Sequence, residues 1–142
     1  MSERVAARGI LLAHGAMAEG IVDAVRCISG AEPDVLVPLS NRGLSPAALA
    51  ESIRGHVGSE PTVLFTDLQS GSCGFAARIL ARELPGVIII SGVNLPMLLE
   101  FVMNRDMPIE DLVPRLLEKG RAAVGCSPAS FEHHADRAVP GR

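Results

Sequence analysis

Two short segments of this sequence set reactive side chains beside glycine-containing turns. Ala13-His14-Gly15-Ala16 follows the apolar run 9–13 (GILLA). Thr66-Asp67-Leu68-Gln69-Ser70-Gly71-Ser72-Cys73-Gly74 follows the run 62–66 (TVLFT). An imidazole and a carboxylate emerging at one rim have a defined use. The carboxylate can accept Nδ1–H of a neutral histidine and leave Nε2 bare as a nucleophile. Backbone N–H groups over residues 71–74, with the Ser72 hydroxyl, suit the oxygens of a phosphoryl group. No acidic cluster accompanies them to hold magnesium. The set therefore points to phosphoryl transfer between histidines, with no metal site and no cofactor. Taken singly, these residues have plainer uses: a histidine at a strand end as a surface or capping residue, an aspartate as a helix cap, glycine and serine as turn formers. The functional reading rests on their meeting at one place.

The elements needed for that meeting can be read from the pattern. Apolar runs at 9–13, 34–38, 62–66 and 87–91 are continuous rather than alternating, as in strands covered on both faces. Helical stripes lie between them: Met17, Ile21, Ala24, Val25 and Ile28; then Leu49, Ile53 and Val57; then Phe75, Ile79 and Leu80. Gly30 can close the first helix, with Pro33 beyond it. Ser45-Pro46 reads as N-cap and first position of the second helix. The order βαβαβαβ predicts a doubly wound α/β domain with a mainly parallel sheet and helices on both faces. Right-handed crossovers make strand order 2-1-3-4 the natural arrangement. The first and third strands are then neighbours, and ligands of such sheets bind beyond their carboxyl ends at the switch point. Two helix N-termini meet there and favour an anion.

Residues 95–103 are apolar almost all round, which predicts a helix that is fully buried or part of a subunit interface. A further helix is expected over 109–124, with Leu112, Val113, Leu116 and Leu117 inward and Pro114 kinking it or delaying its start. The reading is one domain over 1–124 and a mobile tail over 125–142. His56 is expected beside an apolar stripe, partly exposed. His133 and His134 stand in the tail near Cys126 and Glu132, without the spacing of a known metal site.

Composition narrows the classes. The chain has 142 residues with 13 basic and 16 acidic side chains, net charge −3, and no Trp or Tyr, which argues against nucleic-acid binding. No apolar run approaches the ~18 residues of a membrane helix. The start lacks the apolar region of a signal peptide. Cys27, Cys73 and Cys126 are odd in number and widely spaced, which reads as free thiols in a cytoplasmic protein.

Three stretches resemble the IIA components of the mannose family of the bacterial phosphoenolpyruvate-dependent sugar phosphotransferase system: GILLAHGAMAEGIVDAV, LFTDLQSGSCGFAAR and ISGVNLPMLLEFVMNRD, over about residues 9–124. The resemblance implies a phosphocarrier with His14 as the histidine phosphorylated by HPr, Asp67 as its orienting aspartate, and Gly71 and Ser72 at the phosphoryl group. Asn94 falls in the family's loop near the site. It further implies a cytoplasmic homodimer whose acceptor is a IIB component, a kinase or a regulator, with no nucleic-acid partner and no membrane insertion. The family's frequent Trp-Gly-Gly-Ser-Pro turn is here Gln69-Ser70-Gly71-Ser72-Cys73, which bears on the surface offered to a partner. The phosphocarrier subunit of a dihydroxyacetone kinase shares the fold and histidine and is the alternative reading. A non-enzymatic regulatory domain read out by its phosphorylation state is another. A receiver-type domain phosphorylated at Asp67 would need an acidic pair where Ala13-His14 stands. A flavodoxin-like binder would need a Ser/Thr-rich loop there.

Overall fold

A computed structural model describes residues 5–132 of the chain. The sheet has four parallel strands: β1 (Arg8–Ala13), β2 (Leu36–Ser40), β3 (Thr62–Thr66) and β4 (Val87–Ser91), in the order β2-β1-β3-β4. The helices are α1 (Met17–Ser29), α2 (Pro46–Arg54), α3 (Gly71–Glu83), α4 (Leu95–Met103) and α5 (Ile109–Ala122). Because strand side chains alternate, β1 feeds two cores. Leu11 and Ala13 face the core shared with α1, α4 and α5; Ile10 and Leu12 face the one shared with α2 and α3. The two inner strands, β1 and β3, are the most completely covered, and the edge strands less so. This is the doubly wound arrangement expected from the sequence.

Caps stand where their residue types predict. Gly30 ends α1 in the left-handed conformation, at φ 71°. Ser45 caps α2 by accepting from Ala48 N–H at 3.1 Å, with Pro46 at the first helical position.

Three expectations are corrected. β2 begins and ends two residues later than 34–38, because residues 33–35 form a turn closed by Val35 N–H to the Glu32 carbonyl. In α1 the inward face is Ala18, Val22 and Val25, while Met17 and Ile28 are exposed. In α3 the inward face is Cys73, Gly74, Ala76, Ala77 and Leu80, and Phe75 is half exposed. In both helices small residues are turned inward, so the helix lies close to the sheet and larger neighbours are left on its flank. Of the two expectations for residues 95–103, full burial does not hold for the single chain: in α4 Met97, Leu98 and Phe101 are covered, Leu99 and Val102 are partly covered, and Met103 is exposed.

α5 starts at Ile109 and runs through Pro114, with Leu112 and Leu116 buried and Val113 and Leu117 half-buried. Within the stretch read as a tail, Ala129–Phe131 form a 3₁₀ turn and Glu132 Oε1 accepts from Cys126 N–H at 2.6 Å. His133 and His134 lie outside the described residues.

At Gly9, β1 leaves no room for a side chain against α4. A Cβ there would stand 2.7 Å from Phe101 Cε2 and 2.8 Å from Leu36 Cδ1. The Phe101 ring is held edge-on against Phe65, with centroids 5.2 Å apart. Overpacking such a site costs about 1–3 kcal/mol. We expect Gly9→Ala to lower the unfolding free energy by that amount, read as a lower urea midpoint at an unchanged m value. Phe101→Leu in the same chain should restore part of the loss. A neutral Gly9→Ala would show that the ring is free to slide.

Candidate functional site at the carboxyl ends of β1 and β3

Parallel pairing of β1 and β3 sets Leu12 opposite Thr66. The residues that follow, His14 and Asp67, therefore leave the sheet side by side. Asp67 N–H donates to the Leu12 carbonyl at 3.3 Å. The carboxylate then turns back on the histidine. Asp67 Oδ2 accepts from His14 backbone N–H at 2.9 Å and lies 2.8 Å from His14 Nδ1. Oδ1 accepts from Leu68 N–H at 2.8 Å.

Burial raises the Asp67 pKa, but the hydrogen bonds from His14 backbone, His14 ring and Leu68 outweigh it, and the net shift is downward. An ionised carboxylate can only accept, so Nδ1 must be the protonated ring nitrogen, and the lone pair is on Nε2. The Asp67 side chain is 8% exposed and that of His14 is 40% exposed. The orienting group is thus sealed in, while the ring it orients is open to a partner.

Gly71 and Ser72 join them, as expected. Gly71 starts α3 at φ +85°, and a Cβ there would lie 3.5 Å from both Cε1 and Nε2 of His14. The turn is compact because Gly74 sits under it: a Cβ on Gly74 would be 2.2 Å from the Gln69 carbonyl oxygen. Arg78 donates to that same oxygen at 2.8 Å. The first turn of α3, whose Ser70 cap makes no side-chain hydrogen bond, thus begins beside Nε2, and a helix start favours an anion.

Three residues at the site were not given a role in it from the sequence. Asn41, just past β2, accepts from Gly15 N–H through Oδ1 at 3.3 Å and donates to Ser72 Oγ through Nδ2 at 3.2 Å. Arg42 Nη2 would be 3.4 Å from a Cβ on Gly15. Placing the strand end at Pro38 hid both; a Ser-Asn-Arg-Gly turn after a strand was the available signal. The third is Cys73, buried, with Sγ 3.8 Å from His14 Nδ1.

Asn94 makes its hydrogen bonds to two helices. It caps α4 by accepting from Met97 N–H at 3.1 Å and donates to the Gly120 carbonyl of α5 at 2.8 Å. His56 is half-buried, and its carbonyl accepts from Arg8.

Among the described residues, His14, Asp67 and Cys73 form the one cluster of three metal-ligand side chains, with ligating atoms within 4.8 Å of one another. Burial, and then the Asp67 charge, push the Cys73 thiol up to about 11. It keeps its proton at neutral pH, and His14 Nδ1 is committed to Asp67, so as it stands the trio is a hydrogen-bonded group.

The lowered Asp67 pKa has a pH consequence. As pH falls below 3.8, the value for the free side chain, the unfolded chain takes up the Asp67 proton before the native one does. The stability contributed by Asp67 is thus fully present above that range and is lost on acidification towards the lower native value. Unfolding free energies of the wild type and Asp67→Asn should differ by a constant at neutral pH and converge below about pH 4. A pH-independent difference down to pH 2 would contradict the shift.

No helix among the described residues is long and apolar enough to cross a membrane. The sequence model of the family described as "PTS system fructose IIA component" matches residues 9–115. The chain is 35% identical over 112 residues to the sorbose-specific EIIA component of Klebsiella pneumoniae, covering 75% of this chain and 82% of that protein. Among solved structures it is similar to the phosphotransferase system component EIIA of Streptococcus agalactiae. That match has a TM-score of 0.78 and 25% identity, over 84% of this chain and 96% of the other. The mannose/sorbose-specific IIA subunit of Enterococcus faecalis matches with a TM-score of 0.72 and 26% identity, over 86% and 95% of the two chains. Family match, relatives and fold agree: the chain belongs to the mannose- and fructose-type IIA components of the sugar phosphotransferase system, a family of phosphoryl carriers.

Proposed function

We propose that this protein is a cytoplasmic phosphohistidine carrier that takes a phosphoryl group from HPr on His14 Nε2 and passes it to a IIB component in sugar uptake or its regulation. The observation that carries the reading is the His14–Asp67 pair, at 2.8 Å, with Nε2 left facing Gly71.

The step is a simple exchange of P–N bonds. The Nε2 lone pair attacks phosphorus on a phosphohistidine of the donor. A new P–N bond forms as the donor's breaks, and that electron pair returns to the donor's imidazole. The Nδ1 proton stays on His14. The ring becomes cationic on phosphorylation, and Asp67 stabilises that charge, as an aspartate does behind any histidine that gains charge in the reaction. The same steps in reverse deliver the group to the acceptor. The α3 N-terminus and the Ser72 hydroxyl supply fixed donors for the phosphoryl oxygens. The site's one carboxylate is engaged with the histidine, so these donors, rather than a carboxylate-held ion, meet the charge.

A docking surface for protein partners is also at hand. Met17, Leu44, Leu68 and Phe75 are exposed apolar side chains on the segments that bear or adjoin His14, Asn41, Asp67 and Gly71. Isolated apolar residues on a surface are ordinary, but four on the segments that build one site suit a protein donor.

Phosphoenolpyruvate, enzyme I and HPr should label the wild type but not His14→Ala, and the label should be acid-labile and base-stable. Asp67→Ala should fold and lose about 10²–10⁴ in transfer rate. With purified phosphorylated HPr, transfer should proceed in excess EDTA. Full labelling of His14→Ala, or transfer that EDTA stops and magnesium restores, would sink the reading.

The partly covered Leu99 and Val102 and the exposed Met103 of α4 lead us to propose a two-fold dimer through that helix. Light scattering should then give about 30 kDa, twice the 14.9 kDa chain mass. A mass equal to one chain at micromolar concentration would refute it.

A further inference from the structure

The edge strand β2 ends level with the histidine. Its last residue, Ser40, pairs with Ala13, and Asn41 N–H donates to the Ala13 carbonyl at 3.3 Å. From there the turn grips the Gly15 peptide from both sides. Ser40 Oγ donates to the Gly15 carbonyl at 2.9 Å, and Asn41 Oδ1 accepts from Gly15 N–H at 3.3 Å. Gly15 is at φ +60°, a conformation open to glycine without steric cost, and its peptide is held by both hydrogen bonds. Holding it fixes the backbone from which the His14 side chain emerges.

The other end of the Asn41 amide reaches across to α3. Its orientation is not free: a backbone N–H points at it from Gly15, so the oxygen must face Gly15 and the nitrogen must face Ser72. Nδ2 donates to Ser72 Oγ at 3.2 Å. Ser72 thereby accepts from Asn41, and its own hydroxyl, which also meets the Cys73 side chain, remains a donor. One side chain thus links the loop after β1 to the first turn of α3. Next to it stands a cation. Arg42 is exposed, its backbone N–H donates to Ser40 Oγ at 3.2 Å, and its Nη2 stands on the side of Gly15 where a Cβ would point, 3.4 Å from that position. A phosphoryl group brings about −1.5 to −2 charges, and it would arrive close to the ionised Asp67. A guanidinium beside Gly15 opposes that charge without needing an ion.

We infer that the Ser40-Asn41-Arg42 turn is the third wall of the phosphoryl site: Asn41 is a positioning residue that aligns the His14 loop with the Ser72 hydroxyl, and Arg42 supplies the positive charge facing the incoming phosphoryl group. The inference rests on the phosphohistidine reading of His14 and is independent of which protein is the donor.

Phosphoramidate carries the same kind of P–N bond and needs no partner protein, so it isolates the site from the choice of donor. Loading of His14 from phosphoramidate should be about tenfold slower in Asn41→Ala, as for a lost alignment contact in the transition state. Asn41→Asp is nearly the same shape and still accepts from Gly15. It cannot donate to Ser72 and adds a negative charge, so it should be slower still. Arg42→Ala should be slowed and Arg42→Lys should recover most of the rate. With phosphorylated HPr, Asn41→Ala should lower kcat and leave KM unchanged, and its effect should not add to that of Ser72→Ala. A merely structural Asn41 would tolerate Asp and add to Ser72→Ala. Equal loading rates in all variants overturn the inference even where HPr transfers. Failure of HPr with intact, variant-sensitive phosphoramidate loading overturns the donor assignment and leaves the inference standing. A wild type that neither reagent loads overturns both.

Discussion

One carboxylate organises this end of the molecule. Asp67 accepts three N–H groups, from the His14 backbone, the His14 ring and Leu68. A buried carboxylate is unfavourable unless it is hydrogen-bonded in this way. Satisfying it fixes the ring's rotation and its tautomer together, and with them the nitrogen that faces outward. The bond to the His14 backbone also ties the loop after β1 to the loop after β3. The group that makes the histidine nucleophilic thus also holds together the two segments on which the site stands.

That contact is available only because β1 and β3 are adjacent. In the order β2-β1-β3-β4 the chain leaves β1 for one edge and returns to its other side, so the first two helices lie on opposite faces and the loops part above the sheet. The space between them receives His14 and Asp67. The edge strand β2 contributes from the side, and α3 begins at Gly71 directly beside the ring. Two glycines with opposite demands make the α3 turn possible. Gly71 takes a positive φ, and Gly74 allows a carbonyl to come closer than any side chain would permit.

Much of this was legible because it depends on residue type and order. β3 and β4 fall on the expected residues, and β1 starts one residue earlier. Strand adjacency followed from crossover handedness, and His14, Asp67, Gly71 and Ser72 followed from adjacency. What escaped depends on shape. The inward faces of α1 and α3 were misassigned because hydrophobic spacing ranks Met17 and Phe75 above Ala18 and Ala76, whereas close packing against a sheet ranks small residues first. Asn41 and Arg42 were missed because a turn at 33–35 shifts β2 by two residues, and the Ser-Asn-Arg-Gly turn that marks its true end is a weaker signal than the apolar run. Asn94 sits in a motif tied by resemblance to the site, but its hydrogen bonds are spent in joining α4 to α5.

The cysteine beside the histidine gives the protein an uneven chemical temper. With its pKa at about 11, Cys73 is thiolate in only about one molecule in 10⁴ at pH 7. It is also completely enclosed, whereas Cys27 and Cys126 are exposed. Electrophiles and peroxides attack the thiolate, and they must first reach it. Oxidants and alkylating agents are therefore spent on the two outer sulfurs while the one touching the imidazole stays reduced. A sulfur that would be a liability next to a nucleophile in an open cleft is here an inert, space-filling neighbour, protected by the same burial and the same negative charge that orient the ring.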